Sequence, residues 1–219
     1  MTPTAEQQYL VQQAARALGR AGLVHAYGHC SLRLGDQHFL VCAAKPMGMI
    51  TDEPGTVVPV DGPLPDGVLG EVRIHQCLYR RRPDIHAVCR IMSPAVMALS
   101  TQGLVPRPRH GIGAYFSPPP PLWDDPRLLR DDAAADRLAA TMGDAAAIVM
   151  RGNGAVIAAD GLEKAVTLAW FLEDSARVES AIRSMGLSPD DGLLTDEEIA
   201  ARHVFAGGVV ERMWVWLTR

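Results

Sequence analysis

GEVRIHQCLYRRRPDIHAVCRIMSPAVMALS, residues 70–100, decides the fold. Residues 70–81 read as a helix, Arg82-Pro83-Asp84 as a turn, and Ala87–Ile91 as a buried strand. A proline within the turn breaks helical hydrogen bonding and releases the chain into extended structure. Polarity returns at the strand's end, with Arg90 and then Met92-Ser93-Pro94. Pro94 suits the first turn of a helix running to about Gly103. Reactive groups collect at strand ends in open α/β structures. Glu71 and His75 are four residues apart, so they share one helix face. One helix-turn-strand unit thus brings an acid/base, Glu71, towards a permanent cation, Arg90.

Outward from this unit the chain alternates helices and short strands. Leu10, Ala14 and Leu18 share a face of a helix over residues 5–21. Residues 38–41 and 56–60 read as strands, with a hairpin before them through Gly28-His29-Cys30-Ser31 and Arg33. Beyond the central unit, residues 131–142 form a helix, and 146–150 and 155–158 form strands on either side of Arg151-Gly152-Asn153-Gly154. Asp160 and Glu163 have capping-box spacing before a long helix, and Thr195 and Glu198 repeat it before another. The proline-rich run at 117–121 reads as a fixed surface loop. Met213, Trp214 and Trp216 near the end read as an exposed aromatic face at an interface.

Composition excludes several classes. The 219 residues suffice for one large domain, and residues 1–219 are taken as such, without internal repeats. An apolar fraction of 48% is that of an ordinary globular chain. A net charge of −4 gives no whole-molecule attraction to nucleic acid. No apolar run reaches membrane-spanning length, and no signal-peptide pattern opens the chain, so cytoplasm is the expected compartment. Cys30, Cys42, Cys77 and Cys89 form no CxxC pair, so reduced buried thiols are expected.

The Glu71 helix, the Arg82-Pro83-Asp84 turn and the Arg90-x-Met92 strand end resemble the class II aldolase/adducin family over roughly residues 5–185. The resemblance implies a three-layer α/β fold with a mainly antiparallel central sheet between helix layers. It also implies homo-oligomers, commonly tetramers with sites between subunits. Glu71 matches the family's catalytic glutamate. The family's metal-binding histidines are replaced by Arg90, Met92 and Asn153. A guanidinium stays protonated and a thioether is too soft for a usual zinc site, so no metal is expected there. Zinc held instead by His29, His75 and His110 is a separate alternative.

The family's phosphate-binding loop carries hydroxyls where this chain has Lys45-Pro46-Met47-Gly48, and its serine before the glutamate is absent at Leu69-Gly70. A non-phosphorylated carboxylate is therefore the expected substrate. The Gly-His-x-Ser-x-Arg pattern at residues 28–33 looks like the branch that includes decarboxylases. The expected activity is that of a lyase or related enzyme: decarboxylation, retro-aldol cleavage, dehydration or isomerisation. Glu71, with His29 and His110 as proton donors, forms the catalytic set. Arg90, Ser31, Lys45, Asn153 and Arg109 form the substrate-binding set, and the start of the helix at Pro94 is expected to complete a carboxylate pocket with Arg90. No cofactor, nucleic acid or membrane partner is expected. The competing class is a catalytically inactive, adducin-like assembly domain.

Overall fold

In a computed structural model, which describes residues 2–186 and 188–219, the described strands form one seven-stranded sheet. They are β1 (His29–Arg33), β2 (His38–Val41), β3 (Thr56–Pro59), β4 (Ala87–Ile91), β5 (Leu122–Trp123), β6 (Ala147–Met150) and β7 (Ala155–Ala159). Their order is β3-β2-β1-β4-β7-β6-β5. Every neighbouring pair is antiparallel except β5–β6. The expected fold class is what the structure shows.

Helices cover both faces. On one side lie α1 (Ala5–Arg20), α3 (Pro94–Ser100), α5 (Leu162–Ser184) and α7 (Val209–Thr218); on the other lie α2 (Arg73–Arg81) and α4 (Asp132–Met142). A further helix, α6 (Asp196–Arg202), has no buried residue. Alternation along β4 explains the two cores. Ala87, Cys89 and Ile91 enter the core under α5, while Val88 faces α2. Arg90 shares the parity of Val88, so its guanidinium lies on the α2 side.

Several expected local features differ in the structure. The segment at 70–81 begins with a tighter 3₁₀ turn, Gly70–Val72, before α2. Asp160 does not cap α5: Gly161 is the N-cap, and Asp160 instead accepts from Lys164. The Thr195–Glu198 capping box does form. The run after Pro121 contains β5, an edge strand paired with β6. Of the terminal aromatics, Trp216 is 59% exposed, but Met213 and Trp214 pack against the core beneath α7. The four cysteines are buried and unpaired, as expected.

Gly154 sets the spacing of the central strands. Its φ is +82°, and a Cβ there would collide with the Ile91 carbonyl and lie 2.7 Å from Met92 Cα. This approach seats the Gly152–Gly154 turn, with Asn153, against the end of β4.

Candidate active site

Two periodicities mesh behind Arg90. His29, Ser31 and Arg33 alternate along β1, so all three face α2. Glu71, His75 and Tyr79 follow at four-residue intervals along the facing helical segment. Two strand residues advance about 6.8 Å and four helical residues about 6 Å, so the rows stay nearly in step. Arg33 fastens the assembly: its guanidinium donates to the carbonyls of Ile85, Tyr79 and Arg82, and lies 4.7 Å from the Tyr79 ring centroid.

His29 stands directly across from Arg90 in the β1–β4 ladder. His29 Nδ1 is 2.8 Å from His75 Nε2. His75 Nδ1 is 2.6 Å from Ser31 Oγ, which is 2.8 Å from the Tyr79 hydroxyl. Burial lowers the pKa of His29, with repulsion from His75 and Arg90 adding to it. Burial and Arg90 push His75 down to about 3. Both imidazoles are therefore neutral at neutral pH.

Arg90 is only 2% exposed, and its Nε lies 3.3 Å from Glu71 Oε2. Another of its nitrogens donates to the Ile91 carbonyl. Burial lowers the Arg90 pKa, and Glu71 opposes that by stabilising the charge. Most buried polar atoms in folded proteins find a partner. Here His29 Nε2, Glu71 Oε1 and Arg90 Nε are all buried without a well-formed hydrogen bond among the described residues. These three groups, a guanidinium, a carboxylate and a neutral imidazole, make one buried polar cluster on adjoining elements. A narrow crevice lined by His29, Cys42, Ala44, Leu69 and Val72 opens beside them. Two larger cavities, of about 540 and 590 Å³, include none of the three.

The remaining expected residues divide. Asn153 lies in the turn between β6 and β7, next to Gly154, which closes on Ile91 and Met92 at the end of β4. Ser31 is fully buried, with its hydroxyl engaged between His75 and Tyr79. Lys45 is turned to the surface and held by Glu53. Arg109 serves the fold, because its guanidinium is engaged by buried Glu179 and the carbonyls of Pro189 and Asp191. His110 lies on the α5 side of the sheet, its Nε2 2.9 Å from Asp174. The sheet separates it from Glu71 and Arg90.

The start of α3 does not complete a carboxylate pocket, because Glu173 of α5 already occupies it. That carboxylate accepts from the amides of Ala95 and Val96 at 3.1–3.2 Å, and Glu173 is 2% exposed.

Sequence reasoning missed Tyr79. Its spacing of four from His75 was the available signal, but nothing local showed that Ser31 would reach its hydroxyl.

The family's metal does not fit these residues. Arg90, Met92 and Asn153 supply a fixed cation, a soft thioether and a neutral amide in place of three imidazoles. The His29, His75 and His110 alternative fails on geometry, since His110 is on the other face and the first two bond to each other. Among the described residues no three His, Cys, Asp or Glu side chains gather as a metal site.

This fold and this cluster define the class of protein. Residues 10–180 match the family described as Class II Aldolase and Adducin N-terminal domain, and the chain belongs to it. Among curated proteins it is 31% identical over 207 residues to a 3,4-dihydroxyphthalate decarboxylase of Arthrobacter keyseri, covering 85% of this chain and 82% of the relative. A protein of the same name from Terrabacter sp. (strain DBF63) is 27% identical over 219 residues, covering 90% of this chain and 89% of that one. The fold is shared with the L-fuculose 1-phosphate aldolase of Glaciozyma antarctica PI12, at a TM-score of 0.81 and 18% identity, covering 99% of this chain and 93% of that one.

Proposed function

We propose that the chain is a lyase that decarboxylates a small, non-phosphorylated aromatic carboxylate of the 3,4-dihydroxyphthalate type, without a zinc ion at the family position. The carrying observation is the trio of buried atoms without a well-formed hydrogen bond, His29 Nε2, Glu71 Oε1 and Arg90 Nε, the last ion-paired with Glu71 Oε2 at 3.3 Å. The similarity to decarboxylases over most of the chain supports the same reading.

In this reading Arg90 grips a carboxylate and offsets negative charge developing on the substrate. Glu71 takes the proton of the hydroxyl next to the leaving carboxylate and returns it to the ring carbon bearing that carboxylate. The carbon–carbon bond then breaks and CO2 leaves. Its electron pair returns through the ring to the oxygen as a phenolate, which solvent reprotonates. His29 Nε2 lies beside Arg90 to contact that oxygen.

Incubating the purified protein with 3,4-dihydroxyphthalate, before and after chelation, tests this. Equal CO2 release in both samples, with sub-stoichiometric zinc by elemental analysis, is the expected result. No release, or release that disappears with a stoichiometric metal, would overturn it.

The working particle is a homo-oligomer, most simply a tetramer. Exposed Val215 and Trp216 on α7 support an apolar contact there. Sedimentation at micromolar concentration should give a multiple of the 23.6 kDa chain, and a stable monomer would refute this. No described helix is long and apolar enough to cross a membrane.

A further inference from the structure

Tyr79, Ser31, His75 and His29 form one unbranched line of buried hydrogen bonds. Such a line can run in two directions. In the first, the Tyr79 hydroxyl donates to Ser31 Oγ, Ser31 donates to His75 Nδ1, and His75 Nε2–H donates to His29 Nδ1. Neutral His29 then carries its proton on Nε2. In the second, every bond is reversed and His29 carries its proton on Nδ1.

The end of the line decides between them. In the reversed direction Ser31 donates to Tyr79, and the Tyr79 hydroxyl proton needs another acceptor. Ser31 is its sole hydrogen-bond partner among the described residues, and the side chain is 2% exposed, so water does not serve either. Each direction leaves one donor over. The first leaves His29 Nε2–H, at the crevice that His29 lines, where a water or ligand oxygen can accept it. The reversed one strands the Tyr79 hydroxyl in the closed core, which is the costlier end. Protonating either imidazole would remove the ambiguity, but burial and Arg90 keep both neutral.

We propose that Tyr79, Ser31 and His75 are positioning residues that hold His29 as its Nε2–H tautomer, presenting a neutral hydrogen-bond donor beside Arg90. A neutral donor next to a fixed cation recognises an oxyanion: a carboxylate on binding, a phenolate as the carbon–carbon bond breaks. It also explains why a serine and a tyrosine that never touch substrate lie behind the site. The role in turnover rests on the decarboxylase reading above; the tautomer does not.

The test uses the full-length protein labelled with ¹⁵N-histidine, free of substrate, at pH 7.5. Nitrogen shifts separate protonated from bare ring nitrogens, and a His29→Gln variant assigns the signals. His29 is expected to be protonated at Nε2 and bare at Nδ1. Tyr79→Phe removes the terminal donor and should convert this to a mixture of tautomers. With 3,4-dihydroxyphthalate, the same variant should lose about tenfold in kcat while KM moves less than about threefold. Ser31→Ala should behave alike, and thermal melts verify that each variant folds. A wild-type spectrum with His29 protonated at Nδ1 would overturn the proposal, whatever the variants do. So would a Tyr79→Phe protein with unchanged tautomer and kcat. Should the wild type not turn over 3,4-dihydroxyphthalate, the decarboxylase reading fails, while the spectrum alone still decides the tautomer.

Discussion

Arg90→Met is expected to lower kcat/KM for 3,4-dihydroxyphthalate by about 30- to 1000-fold, the equivalent of ~2–4 kcal/mol for a desolvated charge contact. The guanidinium is held in place, with one nitrogen on the Ile91 carbonyl and Nε beside Glu71. In the proposed reading this pre-positioned guanidinium would need little reordering to meet an anionic group, and the low local dielectric would strengthen the contact. Methionine follows the aliphatic stem of arginine and carries no charge, so the apolar packing of that stem on the α2 side is kept. Breaking a buried ion pair is itself destabilising when the remaining charge is stranded. Glu71 is partly exposed, with 19% of its side chain accessible, so it is not sealed away from solvent. The loss should thus be seen in catalysis with the fold retained, which a melting curve verifies. A variant with kcat/KM within threefold of wild type would place the anion-binding site elsewhere.

Glu71→Gln should lower kcat by about 100- to 10,000-fold, the range for removing a positioned general acid/base. Glutamine preserves shape and hydrogen bonding but has no basic oxygen. Binding should survive the change, because Arg90 loses its internal counter-ion and becomes freer to pair with substrate. KM is therefore expected to stay the same or fall. This pattern, a loss confined to turnover, separates a proton shuttle from a residue that merely holds substrate. Full activity in Glu71→Gln would transfer the proton role to another group, with His29 the nearest. Full activity in both variants would place the chemistry outside this cluster.

Local patterns were enough for most of the fold. The strands Ala87–Ile91 and His38–Val41 have the boundaries that their apolar runs imply, and the Arg82-Pro83-Asp84 turn ends α2 where proline requires it. These features depend on neighbours in the chain, which a sequence displays. The two-residue strand β5 was hidden because its stability comes from β6, more than twenty residues later. Similarly, Asp160 has the spacing of a cap but bonds to Lys164, and local spacing does not decide between those partners.

The site divides the same way. The resemblance to the family singled out Glu71, Arg90 and His29, and the positions at residues 45–48, 90, 92 and 153 where this chain lacks the family's hydroxyls and histidines. What each remaining polar group does was settled by packing. His110 and Arg109 have the composition of a reactive loop, yet Asp174 and Glu179 of α5 engage them on the far face of the sheet. The start of α3 has the dipole of an anion site, yet Glu173 fills it from a residue 78 positions away from Ala95. Ser31 stands in a substrate-binding motif, yet α2 brings His75 and Tyr79 to its hydroxyl. Sequence determined which chemical groups exist and which secondary structure carries them. Only the tertiary structure decided which of those groups find hydrogen-bond partners, because hydrogen-bond satisfaction is a property of neighbours in space.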